Sequence, residues 1–125
     1  MPYSIEYDPQ GIVNVKVQGS LTMAVILEYA PGVAQLVKEQ DCPRILSDLR
    51  EAELKLSMLE IYSLPRLFAE IASLQDLQMH TLRQAVVIAP GEPLFHFFET
   101  VSRNRVQSVK IFYDDESARQ WLLNT

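Results

Sequence analysis

The chain has 125 residues, 48% of them apolar and 22% charged, which is enough for one buried core and excludes a disordered chain. Sixteen acidic side chains face 11 basic ones, for a net charge of −5, which disfavours a nucleic-acid backbone or an anionic membrane surface as the main partner. Cys42 is the only cysteine, so an intramolecular disulfide framework is excluded.

The opening "YSIEYD" alternates, with Tyr3, Ile5 and Tyr7 on one face, and predicts a strand. "DPQG" turns the chain. "IVNVKVQG" alternates again and completes a β-hairpin. From Ser20 to Gln40 the apolar spacing is helical, with Ser20 or Thr22 as cap and a kink or interrupted first turn expected at Pro31. "RILSDL" predicts a short strand with Asp48 near its carboxyl end, and Glu51 and Glu53 beyond it in a solvated loop. A second helix starts at Ser57 and runs to about Leu77, with Pro65 inside it.

The unbroken apolar run Ala85–Ala89 reads as a central strand covered on both faces. "LFHFFETVSR" is a third helix. Its expected inward stripe is Leu94, Phe97, Phe98 and Val101, leaving Phe95 at the edge and His96 on the opposite flank, with Asn104 left-handed at its end. "SVKIFYD" is a strand. "DESARQWLLN" closes the chain as a helix capped by Asp114 or Asp115, with Ala118, Trp121 and Leu122 inward. The order ββαβαβαβα implies an α/β fold: a mostly parallel central sheet, an antiparallel N-terminal edge hairpin, and helices packed on the sheet. No linker or repeat interrupts residues 1–125, which form one expected domain.

This order, with "ILSDLREAEL", "RQAVVIAP" and "VKIFYDDESARQWL", resembles the STAS-like fold of anti-sigma-factor antagonists, and more closely a group of small uncharacterised bacterial STAS-like proteins. The resemblance implies a regulatory module that acts by binding protein partners, without enzymatic activity and without a cofactor. It also implies a phosphate-accepting serine at the start of the helix after the third strand. In the antagonists that place reads aspartate, serine, serine, glycine; here it reads Leu56, Ser57, Met58, Leu59. A second resemblance in outline, to CRAL-TRIO lipid-transfer domains, implies a small apolar, lipid-like ligand held between helices and sheet.

Read from the residues alone, Ser57 and Glu60 have capping-box spacing, with Leu56 and Ile61 as the flanking staple. Ser57 is therefore a candidate helix cap as well as a candidate phospho-acceptor. Ligands of open α/β sheets gather beyond the carboxyl ends of parallel strands. That rim would collect Asp48, Arg50, Gly91, Glu92, Phe95, His96 and Tyr113, the candidate contact residues for a ligand, a protein partner or a second copy in a homodimer. His80 and His96 are the only histidines, and no Cys/His pair has metal-ligand spacing, so no metal site is expected. Ser57, His96 and Asp48 make a catalytic triad on paper, but there is no strained G-x-S-x-G turn to present the serine. "MPYSIEYDPQ" lacks a basic start and an apolar core, so no signal peptide is expected. No apolar stretch reaches the length of an integral membrane segment. A cytoplasmic location is expected.

Overall fold

A computed structural model describes residues 2–105 and 107–124. The elements follow the expected order: β1 (Tyr3–Tyr7), β2 (Val13–Leu21), α1 (Met23–Gln40), β3 (Arg44–Leu54), α2 (Met58–Ser73), β4 (Arg83–Val87), α3 (Leu94–Asn104), β5 (Ser108–Phe112) and α4 (Asp115–Leu123). A single 3-10 turn, Met79–Thr81, lies between α2 and β4.

The five strands stand side by side in chain order, β1-β2-β3-β4-β5. β1 and β2 are antiparallel, and every later pair is parallel. Right-handed crossovers between successive neighbours place their helices on one face of a sheet. Accordingly α1, α2 and α3 share one apolar core, built on Val13, Val15, Val17, Ile45, Val86, Val109 and Ile111. The other face carries a smaller core of Ile12, Leu46, Ala85, Val87, Ala118 and Leu122, covered by α4. Burial of strand β4 on both faces explains its lack of alternation.

Several local expectations are corrected. α1 is unbroken across Pro31, with Thr22 rather than Ser20 as its cap; the Thr22 hydroxyl accepts from the Val25 amide at 3.2 Å. β3 does not end at Leu49. It continues to Leu54 because β2 also continues past Gly19, and the two strands pair from Gln18↔Glu51 to Leu21↔Leu54 after a register shift beyond Lys16. Glu51 and Glu53 are therefore strand residues. Asp48 is instead the last β3 residue paired with β4, opposite Val87.

α2 stops at Ser73, short of Leu77, because Asp76 adopts a left-handed φ of 58°. There the Leu77 amide donates back to the Ala72 carbonyl at 2.9 Å. Asn104 stays helical; α3 ends at Arg105, whose φ is −105°. The buried stripe of α3 is Phe95, Phe98, Val101 and Ser102. It is rotated one residue from the expected stripe, so Phe95 belongs to the core and Phe97 is half-buried.

Candidate functional site

The amino end of α2 has a complete capping box. The Glu60 amide donates to Ser57 Oγ at 3.1 Å, and the Ser57 amide donates to Glu60 Oε1 at 2.9 Å. Leu56 and Ile61, the residues on either side, are both buried in the larger core. Ile61, Leu64, Pro65 and Ala72 face inward. The opposite face carries Met58, Leu59 and Tyr62, which are 59%, 81% and 56% exposed. Tyr62 stands four residues from Met58 and three from Leu59, so the three side chains share one helical surface. They form an apolar patch beside an exposed Ser57. We predict that Ser57→Ala lowers the unfolding free energy by about 1 kcal/mol, measured by urea denaturation.

The expected rim divides into separate groups. Arg50 grips Asp48 as a fork: Nε donates to Oδ1 at 3.0 Å, Nη2 to Oδ2 at 2.9 Å, and the Arg50 amide to Oδ1 at 3.2 Å. The hydrogen bonds from Arg50 hold the Asp48 carboxyl below its ordinary pKa, against partial burial. Asp115 and Asp114 lie within electrostatic reach of this guanidinium. His96 Nε2 and the Tyr113 hydroxyl are hydrogen-bonded at 2.8 Å on the surface. Glu92 Oε1 accepts from the Leu94 amide at 3.1 Å and so caps α3, whose preceding residue, Pro93, makes no side-chain cap. Gly91, at φ 114°, makes the turn that a residue with a side chain would strain. Phe95 is 7% exposed and cannot serve as a rim residue.

A ligand crevice opens where strand order reverses. The order of the described strands is sequential, without the reversal at which such a crevice opens. The paper triad is not assembled either: Ser57 bonds Glu60, His96 bonds Tyr113, and Asp48 bonds Arg50. Among the described residues no group of three His, Cys, Asp or Glu side chains could hold a metal ion.

Sequence reasoning missed a polar network on the α4 face. Arg119 donates from Nε to Asp115 Oδ2 at 2.7 Å and from Nη1 to Asp8 Oδ2 at 2.6 Å and Gln10 Oε1 at 2.9 Å. Its Nη2 donates to Asn14 Oδ1 at 3.0 Å. Asn14 Nδ2 in turn donates to Asp8 Oδ2 at 2.6 Å. The network ties the closing helix to the opening hairpin and borders a polar trough of about 260 Å³ beside Glu6, Lys16 and Asp48. Only the Asp115–Arg119 spacing of four was visible in the sequence; nothing local marks Asp8 as the partner of Arg119.

Burial pushes the Asp8 carboxyl up, but hydrogen bonds from Arg119 and Asn14 and the guanidinium charge outweigh it and set its pKa below the ordinary value. A carboxyl depressed in the fold stabilises it above the unfolded pKa, about 3.9, and loses that contribution as pH falls through the folded value. We therefore predict that Arg119→Met flattens the loss of stability below about pH 4, measured as urea midpoints against pH.

Two small cavities lie between the sheet and the helices. One, of about 60 Å³, lies among α1, the end of α2 and Met79; the other, of about 40 Å³, lies under α2 and α3. No described helix is long and apolar enough to cross a membrane.

No protein-family model and no curated protein matches the chain. Its structure is similar to the crystal structure of an anti-sigma factor antagonist from Mycobacterium paratuberculosis. That similarity has a TM-score of 0.55 and 17% identity, over 96% of this chain and 92% of that one. It is also similar to an uncharacterised protein of the DUF3478 family with a SpoIIAA-like fold from Shewanella loihica PV-4. Here the TM-score is 0.56 and the identity 21%, over 96% of this chain and 91% of that one. The expected STAS-like, SpoIIAA-like fold is thus established for nearly the whole chain.

Proposed function

We propose that this STAS-like chain is a non-enzymatic regulatory module of the cytoplasm that docks a protein partner through the amino-terminal end of α2. The observation that carries the reading is the apolar patch of Met58, Leu59 and Tyr62. Three large apolar side chains on one exposed helical surface have a desolvation cost that a partner would remove. The capping box supports them by fixing where the helix begins and therefore where the patch points. Around the patch the charges are paired: Glu53 with Lys55 at 2.8 Å, while Glu60 accepts from the Ser57 amide. The matching partner surface is apolar. One of the two similar structures is named for antagonism of another protein, which agrees with a docking role.

The binding event needs no bond made or broken. Two pairs of polar groups expected at the rim, Asp48 with Arg50 and His96 with Tyr113, are hydrogen-bonded to each other. A lipid-like cargo would need a pocket nearer about 300 Å³, the lower range for small-molecule sites. The cavities of about 60 and 40 Å³ do not support that alternative.

The test is a photo-cross-linking amino acid placed at Tyr62 in the host cell, with Leu123, exposed on α4, as the control position. The expected result is an adduct with a different protein at 62 and none at 123. Equal labelling at both positions, an adduct only with a second copy of the chain, or no adduct at 62 would overturn the proposal.

A further inference from the structure

The sheet ends on two unlike edges. At β5 the Phe112 carbonyl faces β4, where it accepts from the Ile88 amide, so the groups of Ile111 point outward. The Glu99 carboxylate occupies that outward Ile111 amide at 2.7 Å, and Lys110 stands in the middle of the strand. An occupied amide and a lysine both hinder the addition of a further strand. At the other edge β1 carries neither. It has no lysine or proline between Tyr3 and Tyr7, and its register with β2 runs without a bulge.

β1 is paired on one side only. The Gln18 amide donates to the Pro2 carbonyl at 2.7 Å, and the Asp8 amide to the Ile12 carbonyl at 3.0 Å. Bonded and non-bonded pairs alternate along an antiparallel ladder. In the register Tyr3↔Val17 to Tyr7↔Val13, Ser4 and Glu6 therefore bond to β2, and the amides and carbonyls of Tyr3, Ile5 and Tyr7 point away from it. Among the described residues no loop backbone bonds to these outward groups.

The spacing is self-complementary. Laid antiparallel on a second copy about Ile5, the strand pairs Tyr3 with Tyr7, Ile5 with Ile5 and Tyr7 with Tyr3. Each pair exchanges both backbone bonds, so one register uses every outward group. It also sets aromatic beside aromatic and isoleucine beside isoleucine on one face. On the other face Ser4 meets Glu6 and Pro2 meets Asp8, so no acid opposes an acid although the chain carries a net charge of −5. We propose that the free edge of β1 is a dimerisation seam whose occupant is β1 of a second copy, related by a two-fold axis at Ile5. The two five-stranded sheets then form one continuous sheet. This edge is separate from the helical α2 patch.

The experiment is sedimentation velocity of the full chain from low micromolar to millimolar concentration, with backbone amide hydrogen exchange followed by NMR over the same range. A monomer–dimer equilibrium is expected, with protection of the Tyr3, Ile5 and Tyr7 amides that rises with concentration. Tyr7→Pro removes an outward donor and no bond to β2, so it should keep the fold and raise the dimer Kd by at least about tenfold. Ser4→Glu faces Lys16 across the β1–β2 pair, which suits the fold, but meets Glu6 of the second copy and should raise the Kd about fivefold. Leu59→Arg should leave both readouts unchanged, which separates failure here from failure of the docking surface. A chain monomeric throughout, a dimer insensitive to both β1 variants, or a dimer that leaves the Tyr3, Ile5 and Tyr7 amides unprotected would overturn the proposal.

Discussion

Leu122→Ala lowers the unfolding free energy by about 3 kcal/mol and the melting temperature by roughly 10 °C. Leu122 is fully buried, and with Ala118 it makes up the buried contribution of α4 to the smaller core. Truncation removes its contacts with the Ile12, Leu46, Ala85 and Val87 layer. The vacated space cannot easily collapse. The helix is pinned at its start by the Arg119 network, and near its end by Arg83, which stacks over Trp121 at 4.2 Å from the ring centre. Leu123, one residue further and 40% exposed, is the control: Leu123→Ala should change stability by less than about 0.5 kcal/mol. Calorimetry on both variants checks the pair. Equal, small effects would mean that α4 does not dock as described.

Leu59→Arg reduces capture of the α2 partner by about 30-fold or more and changes the melting temperature little. A side chain 81% exposed contributes almost nothing to the isolated fold, so its replacement is nearly silent there. In a docked state it would sit at the centre of the patch, and loss of a central anchor costs about 2 kcal/mol or more. The arginine adds a charge that an apolar partner surface would have to desolvate without a compensating partner. The check is quantitative recovery of the cross-linked partner with wild type, Leu59→Arg and the surface control Leu123→Arg. Undiminished recovery with Leu59→Arg would place the interface elsewhere.

Much of the fold was legible because local physics fixes it. Alternation in Tyr3–Tyr7 and Val13–Val17 indicates strands, and Val13, Val15 and Val17 make the buried face of the second. The Ser57/Glu60 spacing defines a helix start from the backbone amides it satisfies, and the structure reproduces both hydrogen bonds. The continuous run from Ala85 indicated a strand covered on both sides, and the two cores meet there. These signals involve residues within a few positions of one another, so they appear in a linear reading.

What escaped depends on partners far along the chain. The length of β3 follows from how far β2 runs beside it, which the string "LREAEL" does not encode. The burial of Phe95 in place of Phe97 follows from a rotation of α3 by one residue, set when the whole helix seats on the sheet. Asp8 and Arg119 meet only because a sequential five-strand sheet leaves α4 alone on the second face. The unreversed strand order likewise leaves no reversal point of the kind at which such a crevice opens. The sequence by itself determined which segments are strands and helices, because periodicity and capping are satisfied locally. Tertiary structure decided which side chains meet, since those distances arise only when the sheet selects its order and its faces acquire their helices.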